Sequence, residues 1–121
     1  MQGSFLRFYV HERDRLHDRP LWEWLLTQAN ELGIRGGSAF RAMAGFGRHH
    51  VLHEARLSEP AGNLTIEVEF IVTDKEAVAL LALLQAEGVR LLYSRIPARF
   101  GVINPDSNDP SLVAIESHEG H

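Results

Sequence analysis

The chain has no cysteine, which excludes disulfides, thiolate metal ligands and cysteine nucleophiles. No apolar run approaches the roughly 20 residues that a membrane-spanning helix needs, and the apolar part of MQGSFLRFYV is too short for a secretory signal. Lysine is nearly absent, since Lys75 is the only one and the other eleven of the twelve basic residues are arginine. The formal net charge of −4 argues against general binding to nucleic-acid phosphates. We therefore expect a cytoplasmic protein that neither inserts into a membrane nor binds nucleic acid.

The remaining composition is that of one globular domain. The chain has 121 residues, of which 45% are hydrophobic and 23% are charged. We expect a single domain over residues 1–100. Residues 101–121 are rich in Asn, Asp, Pro and Ser, which predicts an extended or disordered tail in which the run LVAI at 112–115 could add one short strand.

Two segments alternate apolar and polar residues with the period of a β-strand. In FLRFYVHE, Leu6, Phe8 and Val10 share one face, and in LTIEVEFIVT every second residue from Leu64 to Val72 is apolar. The segments GGSAFRAMAGFG, entered through a glycine turn, and VRLLYSRIPARF are predicted as the second and fourth strands in chain order.

Two other segments have helical spacing and recognisable ends. DRPLWEWLLTQANELG predicts a helix of about fourteen residues, with Asp18 as its N-cap and Gly33 at its C-terminus. TDKEAVALLALLQAEG predicts a second helix, which opens with a capping box of Thr73 and Glu76 and closes before Gly88. The apolar stripe of the first helix comprises Leu21, Trp22, Leu25, Leu26, Ala29 and Leu32.

The order strand, helix, strand, strand, helix, strand predicts an α+β fold of the ferredoxin-like βαββαβ class. Right-handed crossovers would place both helices on one face of a four-stranded antiparallel sheet. Glu67 and Glu69 would then lie opposite Arg7 on a neighbouring strand, which predicts cross-strand ion pairs rather than a catalytic pair of carboxylates. A sheet face that mixes aromatic, aliphatic and paired charged residues favours an oligomer. That open face would carry Phe5, Arg7, Tyr9, Glu67, Glu69 and Ile71.

Candidate functional residues are densest in the segment GFGRHHVLHEARL. Gly45 and Gly47 flank Phe46, so the backbone there could aim N–H groups at a phosphate. Arg41 and Arg48 lie on either side, and arginine binds carboxylates and phosphates with two donors at once. These features favour anion binding, although a flexible surface hairpin would have the same glycines.

Gly88, just before Arg90, is a second candidate for anion binding. A helix cap followed by a solvated arginine accounts for this pair equally well. Both interpretations stay open from the residues alone.

The histidines of the same segment leave a metal site open, because His49, His50 and His53 lie close together in the chain. On a strand, however, residues three apart face opposite sides. No serine lies in a Gly-x-Ser-x-Gly context, and no carboxylate is placed to orient His53 as a general base. We therefore predict neither a catalytic step nor a bound cofactor.

Several of these motifs together resemble the domain of unknown function 190 family, which belongs to the PII-like superfamily. They are LRFYVHERDR, RPLWEWLL at the first helix, GI-x-GG before the second strand, and GFG followed by His53. The resemblance runs from about Leu6 to about Ile96. The chain departs from the family pattern at GGSAF, at residues 48–50 and at LSEPAGN.

The resemblance implies a homotrimer whose long loop between the second and third strands, the T-loop, reaches partner proteins. It also implies a small anionic effector, such as an adenine nucleotide, in clefts between subunits. The loop would span residues 45–63, and an enzyme or a membrane transporter would be its partner. The implied ligand-binding residues are Arg41, Gly45, Phe46, Gly47, Arg48, His53, Gly88 and Arg90, with the arginines holding the anion and His53 orienting the loop base.

Two other functions remain open at this point. A metal-responsive trimer akin to the CutA proteins would use His49, His50 and His53. A ligand-independent structural adaptor of a membrane transporter would need no small effector. A nucleotide-processing enzyme is a more distant alternative.

Overall fold

The computed structural model describes residues 1–47, 51–54 and 64–106 of the chain. The predicted strand at 112–115 and most of the predicted tail lie outside the described residues, and residues 101–106 contain no helix or strand. In chain order the elements are β1 (Gln2–His11), β2 (Arg15–Leu16), β3 (Arg19–Pro20), α1 (Leu21–Glu31), β4 (Gly37–Arg41), β5 (Ala44–Gly45), β6 (His53–Glu54), β7 (Thr65–Thr73), α2 (Asp74–Ala86) and β8 (Leu92–Arg99).

The main sheet has four antiparallel strands in the order β4-β7-β1-β8. β4 and β8 are therefore its two edges. α1 packs against β4 and β7, while α2 packs against β1 and β7. Side chains of both helices join one core cluster with the same face of the sheet, so both helices lie on that face. The predicted ferredoxin-like fold is confirmed.

The core forms where the alternating strands meet the helices. Leu6, Phe8 and Val10 of β1 are completely buried, as the sequence pattern predicts. The rings of Phe8 and Phe70 meet edge to face with centroids 6.2 Å apart. From the helices, the core receives Leu21, Trp24, Leu25 and Ala29 of α1 and Ala77, Leu80 and Leu84 of α2.

The predicted start of the first helix is wrong. Asp18 does not cap α1, which has 11 residues and begins after Pro20 without a side-chain cap. Asp18 instead lies with His17 in the two-residue turn of the β2–β3 hairpin, where their φ angles are 64° and 51°. Such turns require positive φ at both central residues. At the other end, Leu32 belongs to the C-cap rather than the buried stripe and is 43% exposed.

Both predicted helix ends at glycine are confirmed. Gly33 and Gly88 have φ angles of 82° and 70°, the left-handed conformation that glycine adopts without steric cost. After α2, the N–H of Gly88 donates to the carbonyl of Gln85 at 3.1 Å, and the N–H of Val89 donates to that of Leu84 at 3.4 Å. These two bonds form a Schellman motif. The predicted capping box of α2 is also present.

Candidate effector-binding site

Two chain segments lead into and out of the predicted long loop, one after β4 and one before β7, and we call them its stems. The two stems remain paired with each other beyond the main sheet. Beyond β4, the N–H of Ala42 donates to the carbonyl of Thr65 at 2.8 Å. Farther out, Gly45 pairs with the backbone of His53 through β5 and β6. The predicted binding residue Gly45 is therefore part of a strand, and only Gly33 and Gly88 have positive φ among the described glycines. A Cβ added at Gly45 or Gly47 would meet nothing within 4 Å among the described residues.

Arg41, the predicted anion-binding residue at the loop base, has a carboxylate partner within the chain. Its Nε lies 2.6 Å from Oε1 of Glu12. The other carboxylate oxygen of Glu12 accepts a hydrogen bond from the N–H of Leu64 at 3.3 Å, and the N–H of Glu12 donates to the carbonyl of Leu64 at 2.9 Å. One acidic side chain thus contacts both stems of the loop.

Arg90, at the turn between α2 and β8, has different surroundings. Its side chain is exposed, and it has no ion pair within the described parts of the chain. The backbone before it is fixed by the Schellman motif, so Gly88 does serve as a helix cap. Glu87, the last residue before that glycine, lies 3.0 Å from Nε2 of His17 in the β2–β3 hairpin.

Strand pairing gives the relative positions of Arg41 and Arg90. Arg41 pairs with Ile66, which pairs with Val10 of β1. The residue before Val10, Tyr9, pairs with Leu92 at the start of β8. Both arginines therefore lie at the same end of the sheet. They lie on opposite edges, about 14 Å apart at the usual spacing between strands. Within one chain, the structure does not bring these two predicted groups together.

Other predicted residues fall outside the described residues. Arg48, His49 and His50 are among them, as are the side chain of His53 and residues 55–63 of the predicted loop. Phe46 is described and is 65% exposed. Within residues 1–47, 51–54 and 64–106, no group of three or more His, Asp or Glu residues could hold a metal ion.

A cavity on the open face of the sheet was not predicted from the sequence. It has a volume of about 510 Å³ and lies beside the first half of β4. Its floor includes Glu69, which pairs with Ser38 in the sheet register. The alternation of β4 and β7 could have predicted that these two residues share a face of the sheet. Residues 100–102, which line another part of the cavity, follow no sequence pattern that predicts their position. The cavity is lined by Phe5, Arg35, Gly36, Gly37, Ser38, Phe40, Glu69, Phe70, Ile71, Phe100, Gly101 and Val102.

The open face also contains the predicted cross-strand ion pairs. Arg7 lies 2.7 Å from Glu69 and 3.4 Å from Glu67, and its guanidinium lies 5.3 Å from the centroid of the Phe5 ring. The pKa of Arg7 is raised, first by a side-chain hydrogen bond with Tyr9 and further by the charges of Glu69 and Glu67. Desolvation of the guanidinium acts in the opposite direction. Around these charges, large apolar side chains are exposed on the same face: Phe40 at 54%, Ile71 at 47%, Leu92 at 70% and Ile96 at 55%.

No helix in the described part of the chain is long and apolar enough to cross a membrane.

Comparison with known proteins agrees with this architecture. The model of the DUF190 family, described as "Uncharacterized ACR", matches residues 3–90. A UPF0166 protein of Aquifex aeolicus (strain VF5) is 27% identical over 101 residues, which cover 77% of this chain and 96% of that protein.

Solved structures share the fold. One is CPII, a nitrogen regulatory PII-like protein from Thiomonas intermedia K12, described as bound to ADP, AMP and bicarbonate. It is similar with a TM-score of 0.61 and 16% identity, over 84% of this chain and 91% of that chain. A second structure of CPII, bound to ADP and bicarbonate, has a TM-score of 0.58 and 18% identity over the same shares of the two chains.

Proposed function

The chain belongs to the DUF190 family, and from this premise we propose that it is a PII-like regulatory protein that binds an adenine nucleotide between the subunits of a homotrimer. In this proposal it has no catalytic step, works in the cytoplasm and signals through residues 45–63 to an enzyme or a membrane transporter. The phosphates would contact Arg41, Arg48 and Arg90, and the backbones of Gly45, Gly47 and Gly88 would line the site. Phe46 would pack against the ligand, and His53 would orient the loop base.

One observation carries this proposal: the candidate binding groups are divided between the two edges of the sheet. Arg41 and the open-face cavity both belong to the β4 edge, with the cavity beside the first half of the strand and Arg41 at its C-terminal end, whereas Gly88 and Arg90 belong to the β8 edge. In a cyclic trimer each contact joins two different surfaces of neighbouring subunits. We propose that these surfaces are the β4 edge of one subunit and the β8 edge of the next. That arrangement would complete a site that a single chain contains only as two halves.

The open face supports the trimer. Its exposed apolar side chains, Phe40, Ile71, Leu92 and Ile96, are spread over three of the four strands. Contiguous apolar patches on a protein surface commonly mark interfaces. We propose that this face packs against the neighbouring subunits, with the open-face cavity left between them and the Arg7 ion pairs retained.

The open-face cavity supports a nucleotide rather than a simple inorganic anion. Its volume of about 510 Å³ lies within the range of small-molecule sites. The aromatic and aliphatic walls suit the face of a base, and the carboxylate of Glu69 can accept hydrogen bonds from an amino group or a ribose hydroxyl. The similarity to CPII, described as bound to ADP and AMP, agrees with this ligand class.

Thermal unfolding in the presence of AMP, ADP, ATP or bicarbonate tests the proposal. A nucleotide at about 100 times its dissociation constant should stabilise the protein by roughly 2.7 kcal/mol. Arg90→Ala should abolish this shift and leave the ligand-free midpoint nearly unchanged, because the side chain is exposed. Lys75→Ala is the control, since it removes an exposed cation at the opposite end of α2.

Two results would contradict the proposal and favour the alternatives. A shift with zinc alone would indicate the metal-responsive trimer that His49, His50 and His53 leave open. The absence of any shift, together with partner binding that is insensitive to nucleotide, would indicate a ligand-independent adaptor.

A further inference from the structure

Glu12 bridges the two stems of the loop at the point where they leave the sheet. It follows β1, the neighbour of β7, and its carboxylate contacts Arg41 at the end of β4 and the N–H of Leu64 just before β7. We refer to this pair of contacts as the Glu12 bridge. The side chain of Glu12 is 21% exposed, so the bridge lies partly out of water, whereas Arg41 is 49% exposed and within reach of a ligand.

The chemistry of the bridge resembles that of a bound anion. The carboxylate of Glu12 accepts from a guanidinium Nε and from a backbone N–H, and the phosphate oxygens of a ligand use the same two donor types. Within the chain, Arg41 therefore already has a negatively charged partner.

An effector phosphate that approaches Arg41 meets this negative charge at short range. If Glu12 stays in place, two anions share one guanidinium and repel each other. If Glu12 moves away, the hydrogen bond to Leu64 is lost together with the ion pair. In either case the affinity of Arg41 for an external anion is reduced.

We propose that Glu12 is a built-in competitor of the effector and that the effector binds by displacing it from Arg41. This inference rests on the proposed function, in which Arg41 contacts the phosphates. When Glu12 is displaced, the N–H of Leu64 loses its acceptor. Binding of the effector at Arg41, on the β4 stem, therefore changes a hydrogen bond on the β7 stem. Glu12 is thus a positioning residue that couples the two stems to the bound state.

The bridge also sets which anions can bind. Because the competitor is tethered beside Arg41, a ligand displaces it more efficiently the more negative charge its phosphates bring. The phosphate of AMP carries at most about two negative charges at neutral pH, and the phosphates of ADP and ATP carry more. The expected effector class is a nucleoside diphosphate or triphosphate, with weaker binding of AMP and bicarbonate at this position. Removing the negative charge of Glu12 should reduce the difference in affinity between ADP and AMP.

Calorimetric titration of the full-length protein with ADP and with AMP tests the competition. Glu12→Gln keeps the shape and one acceptor oxygen but removes the charge. We expect it to tighten ADP binding about three- to tenfold, the scale of a partly exposed ion pair, and to tighten AMP binding more. Glu31→Gln, at the exposed C-terminal end of α1, makes the same change in net charge away from the loop and should leave both affinities unchanged.

The outcomes separate this inference from the proposed function. Tighter binding in Glu12→Gln alone, or binding only in that variant, supports the competition. Equal or weaker binding in Glu12→Gln, with ADP still bound by the wild type, overturns the competition and leaves the proposed function standing. Binding of neither nucleotide to any of the proteins overturns both.

Hydrogen exchange on the wild type gives a second measurement that does not depend on the folding of a variant. At saturating ADP, the Leu64 amide should exchange faster than in the ligand-free protein, because its acceptor has been displaced. Slower or unchanged exchange at Leu64 would show that Glu12 stays in place and would overturn the inference.

Discussion

Arg41 and Arg90 carry the same charge in opposite surroundings. In the Glu12 bridge Arg41 is paired with a carboxylate, whereas Arg90 is exposed and has no ion pair within the described residues. Substitution of Arg90 should therefore act on ligand binding alone. Substitution of Arg41 should act on ligand binding and also loosen the contact between the two loop stems.

Gly37, at the start of β4, allows the sheet edge to approach the core closely. A Cβ at this position would lie 2.4 Å from Cε1 of Phe70 and 3.2 Å from a methyl group of Leu26. Phe70 is 2% exposed and cannot move without disturbing its neighbours. Gly37→Ala should therefore lower the free energy of unfolding by about 1–3 kcal/mol, as overpacking of a core does. Urea unfolding measures the change.

Gly36 provides the matched control. The same methyl group there would meet nothing within 4 Å, and Gly36 is not among the glycines with positive φ. Gly36→Ala should leave the stability unchanged or raise it by up to about 1 kcal/mol. Equal destabilisation by both substitutions would show that the contact with Phe70 is not the cause.

At the scale of elements, the sequence predicts best what local chemistry controls. Alternation identified the buried faces of β1 and β7, and the Thr73 capping box and the two C-terminal glycines marked helix ends correctly. The β2–β3 hairpin was missed because its strands have two residues each and its turn is His-Asp rather than the common Asn-Gly. Without the hairpin, Asp18 has the sequence pattern of an N-cap, because it is a polar residue shortly before the apolar stripe of α1.

The position of Asp18 in this turn leads to a prediction that an N-cap would not share. Asp18→Gly removes a side chain from a residue with φ of 64°, so it should raise the free energy of unfolding by up to about 1 kcal/mol. The genuine cap, Thr73, should behave differently, and Thr73→Ala should cost about 1 kcal/mol. Thermal or urea unfolding of both variants checks this contrast. A loss of stability in Asp18→Gly would contradict the turn assignment.

At the scale of the whole molecule, the candidate site could be predicted only in part. The arginines and glycines at the loop base and the α2–β8 turn were identifiable from local sequence. Their separation to opposite edges follows from strand order. The cavity is lined in part by residues 100–102, and no pattern in that segment predicts their position there. The pairing of Arg41 with Glu12 joins residues 29 positions apart and was equally invisible.

The division of the site between two edges leads to the central claim, that a neighbouring subunit completes it. Arg90 lies before β8 near Tyr9 of β1, whereas the cavity is lined by Phe5 of β1 and Ser38 of β4, among others. Strand spacing and rise place these two regions roughly 20 Å apart in one chain. A single nucleotide could contact both only if they belong to different subunits.

Mixed trimers test this claim most directly. Arg90→Ala removes the cation from the β8 edge, and Ser38→Trp fills the cavity at the β4 edge, so neither variant alone should bind ADP. After the two are refolded together and their trimeric mass is confirmed, a subunit with an intact cavity will face one with an intact Arg90 at about one quarter of the interfaces. The account predicts that ADP binding returns at that fraction of sites. A mixture that stays as inactive as the separate variants would place both groups in one chain and contradict the shared site.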